Sequence, residues 1–101
     1  GERIDSSVIV GSGGQRIGWP CRDFSELGPA HFDQLAELDT ELVIFGSGAR
    51  LRFVAPALYR SLIEARIGLE TMDTAAACRT YNVLASEGRS VVAALLPGDQ
   101  G

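Results

Sequence analysis

Lysine is absent from this 101-residue chain, and histidine occurs once, at His31. All nine cationic side chains are therefore arginine. The first absence removes Schiff-base and lysine general-base chemistry. The second rules out a His–His metal pair. Cysteine is scarce as well: Cys21 and Cys78 stand 57 residues apart, in neither a Cys-x-x-Cys nor a disulfide-framework spacing. No metal and no cofactor are expected. Two lone thiols in a chain without a signal peptide point to a reducing, cytoplasmic setting. No apolar run approaches the ~20 residues needed to span a bilayer. A net charge of −4 leaves no basic footprint for nucleic acid.

What is present fits one globular domain over residues 1–101. The composition is 46% hydrophobic and 22% charged, too apolar for a disordered chain. Charge is segregated along it. Residues 1–43 carry a net −5 and residues 44–101 a net +1. Asp23, Glu26, Asp33, Glu37, Asp39 and Glu41 supply most of the surplus, which reads as a solvated acidic surface and only secondarily as a docking patch.

The stretch from Ile4 to Val10 reads as a strand that ends in the glycine cluster Gly11-Ser12-Gly13-Gly14, a hairpin turn signal. Gln15–Trp19 is the short return strand. Pro29, after Gly28, marks a helix start, with Phe32, Leu35 and Leu38 along one face. Leu42-Val43-Ile44-Phe45 is a continuous apolar run, as expected of a strand covered on both sides. Pro56 opens a helix with Leu58, Leu62 and Ile63 as its buried stripe and Gly68 after its end. Leu69–Met72 is the next strand. A helix runs from about Thr74 to Ser86, stops at Gly88, and leads into the apolar strand Ser90–Leu96. Strand–helix–strand–helix–strand implies right-handed crossovers and a parallel core sheet.

Ligands of such sheets bind where loops leave the carboxyl ends of the strands. Two exits qualify. Gly46-Ser47-Gly48 follows the first buried strand, and its glycines allow free amides to face an anion. Asp73-Thr74 leads into a helix N-terminus with unpaired amides. Thr74, Arg79 and Asn82 are candidate donors, and Arg79 can offset Asp73. Each feature also has a plainer reading. Gly-Ser-Gly serves equally as a tight turn, and Asp73 or Thr74 as an N-cap. Cys78 reads as a small buried thiol, and Ala77, Tyr81 and Leu84 as a face packed on the sheet. Thr80 and Asn82 are less readily assigned, since neither favours a helix interior. His31, surrounded by acids, reads as a surface residue. A Ser47–His31–Asp73 triad can be written down, but no local pattern supports it.

The string Met72-Asp73-Thr74-Ala75-Ala76-Ala77-Cys78-Arg79-Thr80-Tyr81-Asn82, continuing through Glu87-Gly88-Arg89 and Val91–Leu96, resembles a known family. It is similar to the widespread domain of unknown function that includes the mitochondrial respiratory complex I assembly factor three. The likeness extends back through Val43–Gly48, the proline-led helix and Trp19-Pro20. It implies a three-layer α/β domain around a central mixed, largely parallel sheet, with an N-terminal β-hairpin portion. Members usually begin with a further strand or two, so an edge of the sheet is expected to be missing or disordered here. The family brings no established catalytic residues. The resemblance and the missing catalytic constellation together imply a bacterial-type, non-enzymatic, protein-binding or assembly-factor-like module. Its expected partner is a protein of membrane-complex assembly machinery. A small-molecule or anion site, enzymatic or simply binding, between Gly46-Ser47-Gly48 and Asp73-Thr74 is the alternative.

Overall fold

The computed structural model describes residues 6–98. In chain order the elements are β1 (Val8–Gly11), β2 (Arg16–Gly18), α1 (Pro29–Ala36), β3 (Leu42–Gly46), α2 (Arg60–Glu64), β4 (Gly68–Met72), α3 (Thr74–Ser86) and β5 (Val91–Leu95). Single 3-10 turns occupy Phe24–Glu26 and Pro56–Tyr59. The five strands form one mixed sheet in the order β2-β1-β5-β3-β4. β3 is parallel to both β4 and β5, while β1 runs antiparallel to β5 and to its hairpin partner β2.

Alternation along the strands divides the core into two layers. Ile9, Val43, Phe45, Val92 and Ala94 face one side, where they pack with Phe32 and Leu35 of α1 and Leu62 of α2. Val8, Ile44, Val91, Ala93 and Leu95 face the other, against Ala77 of α3. The result is the expected three-layer arrangement, with the apolar runs of β3 and β5 covered on both faces. Trp19 stands edge-on to the rings of Phe32 and Phe45 at 6.2 and 6.0 Å, so the first layer holds an aromatic cluster among its aliphatic side chains.

The structure corrects several details. The element opened by Pro56 is a 3-10 turn followed by only five α-helical residues. The tighter winding of the 3-10 turn shifts the inward face. Leu58, Tyr59 and Leu62 pack into the core, and Ile63 is 58% exposed. Gly68 does not end that helix but begins β4; Arg66 takes the left-handed position instead, with φ +61°. β1 starts at Val8, and the expected strand residues Ile4 and Asp5 lie outside the described residues. Tyr81, Leu84 and Cys78 are half-buried, not buried. Among the described residues α3 is the one helix on its face of the sheet, so the flanks of its packing stripe stay open to solvent. Ala77 at the centre of that stripe is fully buried.

α3 ends as the Gly88 signal predicts. Gly88 N–H donates to the Ala85 carbonyl and Arg89 N–H to that of Leu84, 3.0 Å each, which satisfies carbonyls of the last turn.

Candidate functional site

Parallel pairing of β3 with β4 and β5 puts the carboxyl ends of all three strands at one edge. Gly46-Ser47-Gly48 and Asp73-Thr74 therefore meet there. Their contact is direct and reciprocal. Ser47 N–H donates to the Met72 carbonyl at 2.9 Å, and Thr74 N–H to the Gly48 carbonyl at 2.8 Å. Gly48 N–H donates to Thr74 Oγ1 at 2.9 Å, and the same hydroxyl donates to the Leu96 carbonyl at 2.7 Å. Leu96 N–H donates back to the Gly46 carbonyl at 2.9 Å, closing the circuit across β5.

Glycine is required at 46 by proximity: a Cβ there lies 2.9 Å from Thr74 Oγ1 and 3.0 Å from Thr74 Cα. At 48 it is required by conformation, with φ +107°. Ser47 and Thr74 are both buried. The Ser47 hydroxyl donates to the Arg50 carbonyl at 2.8 Å, with the Met72 carbonyl also near at 3.2 Å. It accepts the Arg52 N–H at 3.0 Å. Asp73 caps α3 by accepting the Ala76 N–H at 2.8 Å. Arg79 and Asn82 are exposed on α3, about 7.5 and 12 Å along its axis from Thr74, and join none of these bonds. The loops are thus together, but the Ser47, Gly48 and Thr74 amides are spent on protein acceptors. What the arrangement does is lock three strand ends to one helix start.

His31 has a different role from the surface one its acidic neighbours suggest. It is half-buried. Its Nδ1 accepts the Gly28 N–H at 3.0 Å, and its Nε2 lies 2.8 Å from the Pro20 carbonyl, to which it donates in the matching tautomer. Its ring also meets Trp19 edge-on at 5.9 Å. Position three of α1 is where an acceptor reaches back to the N-cap amide, and that spacing behind Gly28-Pro29 was the available sequence signal. His31 is not near Ser47 in these contacts, and the triad does not assemble.

Cys21 is buried, and its Sγ donates to the Asp23 carbonyl at 3.1 Å. Burial, with the nearby charges of Glu26 and Asp23, pushes the thiol up to about 11, so it stays protonated and unreactive at neutral pH. Asp23 is held below the usual carboxylate range by the hydrogen bond from the Ser25 hydroxyl. Among the described residues no cluster of three or more His, Cys, Asp or Glu side chains is placed to hold a metal. No helix there is long and apolar enough to cross a membrane.

A shallow groove of about 350 Å³ opens at the opposite, amino-terminal edge of the parallel strands, lined among others by Ser12, Gln15, Leu38, Asp39, Arg89 and Ser90. None of the candidate site residues lies in it. Its walls are joined by the Ser12 N–H donating to the Val91 carbonyl at 2.9 Å and the Val91 N–H to the Ser12 hydroxyl at 3.1 Å.

A family described as "Protein of unknown function (DUF498/DUF598)" matches residues 1–96. The chain belongs to the DUF498/DUF598 family. It is 44% identical over 71 residues to an uncharacterised protein of Rhodobacter capsulatus, a match that covers 65% of this chain and 57% of that one. It is 39% identical over 61 residues to the bovine NADH dehydrogenase [ubiquinone] 1 alpha subcomplex assembly factor 3, covering 60% of this chain and 33% of the relative. The match thus spans a third of the bovine protein and little more than half of the bacterial one. A crystal structure from Bordetella parapertussis superposes with a TM-score of 0.87 at 36% identity, over 94% of this chain and 81% of that one. The resemblance in the Met72–Leu96 string is therefore a family relationship, and the α/β architecture is shared across it.

Proposed function

We propose that this DUF498/DUF598 domain is a non-enzymatic protein-binding module of the assembly-factor type, acting on a component of a larger complex such as an NADH dehydrogenase. The observation that carries this reading is the closed state of the carboxyl edge. In α/β sheets that edge is the usual place for ligand chemistry, and here its loop amides are used to fasten strands to α3. The likeness to a protein named as an assembly factor supports the same reading. An anion site between the two loops would first have to break those bonds.

Affinity capture from the native host, with the bound fraction read by mass spectrometry for proteins and for metabolites, tests the proposal. The expected result is a reproducible protein partner belonging to a multisubunit complex. A metabolite held at equal stoichiometry, with no protein, would overturn it.

A further inference from the structure

The residues that follow the interlock differ from it in charge and exposure. No acidic residue occurs between Glu41 and Glu64, the longest acid-free interval in this chain of net charge −4, and Arg50, Arg52 and Arg60 fall inside it. Directly after the interlock two large apolar side chains face solvent, Leu51 at 48% and Phe53 at 75% exposure, the latter the most exposed large apolar residue among those described.

The loop that carries them is not slack. The Ser47 hydroxyl donates to the Arg50 carbonyl and accepts the Arg52 N–H, so the backbone is tied on both sides of Leu51. The Arg52 guanidinium lies over the Phe24 ring, 5.5 Å from its centroid, a cation–π contact that orients this side chain as well.

We infer that Leu51 and Phe53, framed by Arg50 and Arg52, are the docking surface of this domain for a protein partner whose apolar pocket is rimmed with carboxylates. The inference rests on the protein-binding reading above and names its surface and the chemistry of its partner. Interface centres are enriched in aromatic residues and arginine and depleted of acids, which is the composition of this loop. Its positive charge, on an otherwise acidic protein, attracts a carboxylate rim and discriminates against a basic one. A loop already tied by Ser47 loses little freedom on entering a preformed pocket.

The test places a photo-crosslinking benzoyl-phenylalanine at position 53 of the full-length protein in its host, with the same group at exposed position 87 as a control. The expected result is one dominant protein adduct specific to position 53. Its mapped peptide should hold apolar residues next to Asp or Glu. The adduct should fall at least about tenfold when Arg50→Glu and Arg52→Glu are added, and return when the mapped carboxylates are changed to arginine. A lipid adduct, an adduct to a second copy of the chain, or a protein adduct indifferent to the charge reversals overturns the inference. Affinity capture with Leu51→Ser/Phe53→Ser separates the two proposals. If the wild type and this variant retain the same partner equally, the docking surface is wrong and the protein-binding reading stands. If the wild type retains no protein, both fail.

Discussion

Residues 46–48 and 49–53 are neighbours in the chain and opposite in what their side chains and amides do. In the first segment Ser47 and Thr74 are buried, and the polar groups of the loop close on β4, α3 and Leu96. In the second, Leu51 and Phe53 stay in water although the fold holds their backbone in place. The glycine-rich segment looks like a ligand nest in sequence and acts as a fastener in three dimensions. The segment that looks like an ordinary connection carries apolar surface that the fold does not use. Buried amides must be paired somewhere, and in a small domain the nearest strand ends supply the acceptors. Exposed apolar side chains have no such internal demand, and the docking surface inferred above gives Leu51 and Phe53 a use outside the chain.

Phe45 is the last apolar side chain before Gly46, is fully buried, and meets Trp19, Phe24 and Phe32 at ring separations of 6.0, 6.3 and 6.0 Å. Phe45→Ala should cost about 3–5 kcal/mol in urea unfolding, a large share of the ~5–15 kcal/mol available to a domain. A loss below about 1 kcal/mol would mean that the aromatic cluster does not support the loop above it.

Thr74→Val tests the fastener with the side-chain shape kept. It leaves Gly48 N–H and the Leu96 carbonyl without their hydroxyl partner, both in a buried setting. A loss of about 1–3 kcal/mol is expected, with Thr74→Ser recovering most of it. Unchanged stability in Thr74→Val would show that the circuit is not stabilising and reopen the loop as a ligand site. Asp73→Ala, which removes only the cap on Ala76 N–H, should cost about 1 kcal/mol. It should leave partner capture intact.

A further effect appears only in alkali. The Cys21 thiol is raised in the folded protein from 9.0 to about 11, chiefly by burial. The unfolded chain therefore loses its proton first as pH rises. The contribution to stability is complete below pH 9 and is lost as pH climbs through about 11. The urea midpoint of the wild type should fall across that window, and Cys21→Val should flatten the fall. At pH 7.5 a thiol reagent should modify half-buried Cys78 before Cys21; equal rates would contradict the protected state.

Much of the fold is legible in the sequence because its signals are local and redundant. The apolar runs at 42–45 and 91–96 identify doubly covered strands, and Pro29 and Asp73 mark the two helix starts. Other features depend on pairings between distant residues. Nothing local says that the Gly48 amide will find the hydroxyl of Thr74, 26 positions on, or that this hydroxyl will reach Leu96. Ile63 is misplaced by a helical projection because the 3-10 turn before it advances each residue by a larger angle. Tyr81 and Leu84 project inward by spacing, yet no second helix covers their flank among the described residues. Arg50-Leu51-Arg52-Phe53 is the hardest to read, since it alternates with the period of a half-buried strand. Only the fold shows both of its apolar residues in water.

The smallest expected effect on stability is the one that separates the two segments most sharply. Phe45 and Phe53 are the same residue type eight positions apart, one fully buried and one 75% exposed. Phe45→Ala removes dozens of packed contacts and leaves a cavity. Phe53→Ser removes a side chain that the folded and unfolded states hydrate to nearly the same extent. Its unfolding free energy should match the wild type within about 0.5 kcal/mol, and its melting temperature should not fall. A loss of about 2 kcal/mol or more would mean that the ring packs against the domain in solution, and the loop would then belong to the fold. Stability kept at wild-type level, with partner capture lost, assigns the phenylalanine to binding and to nothing else.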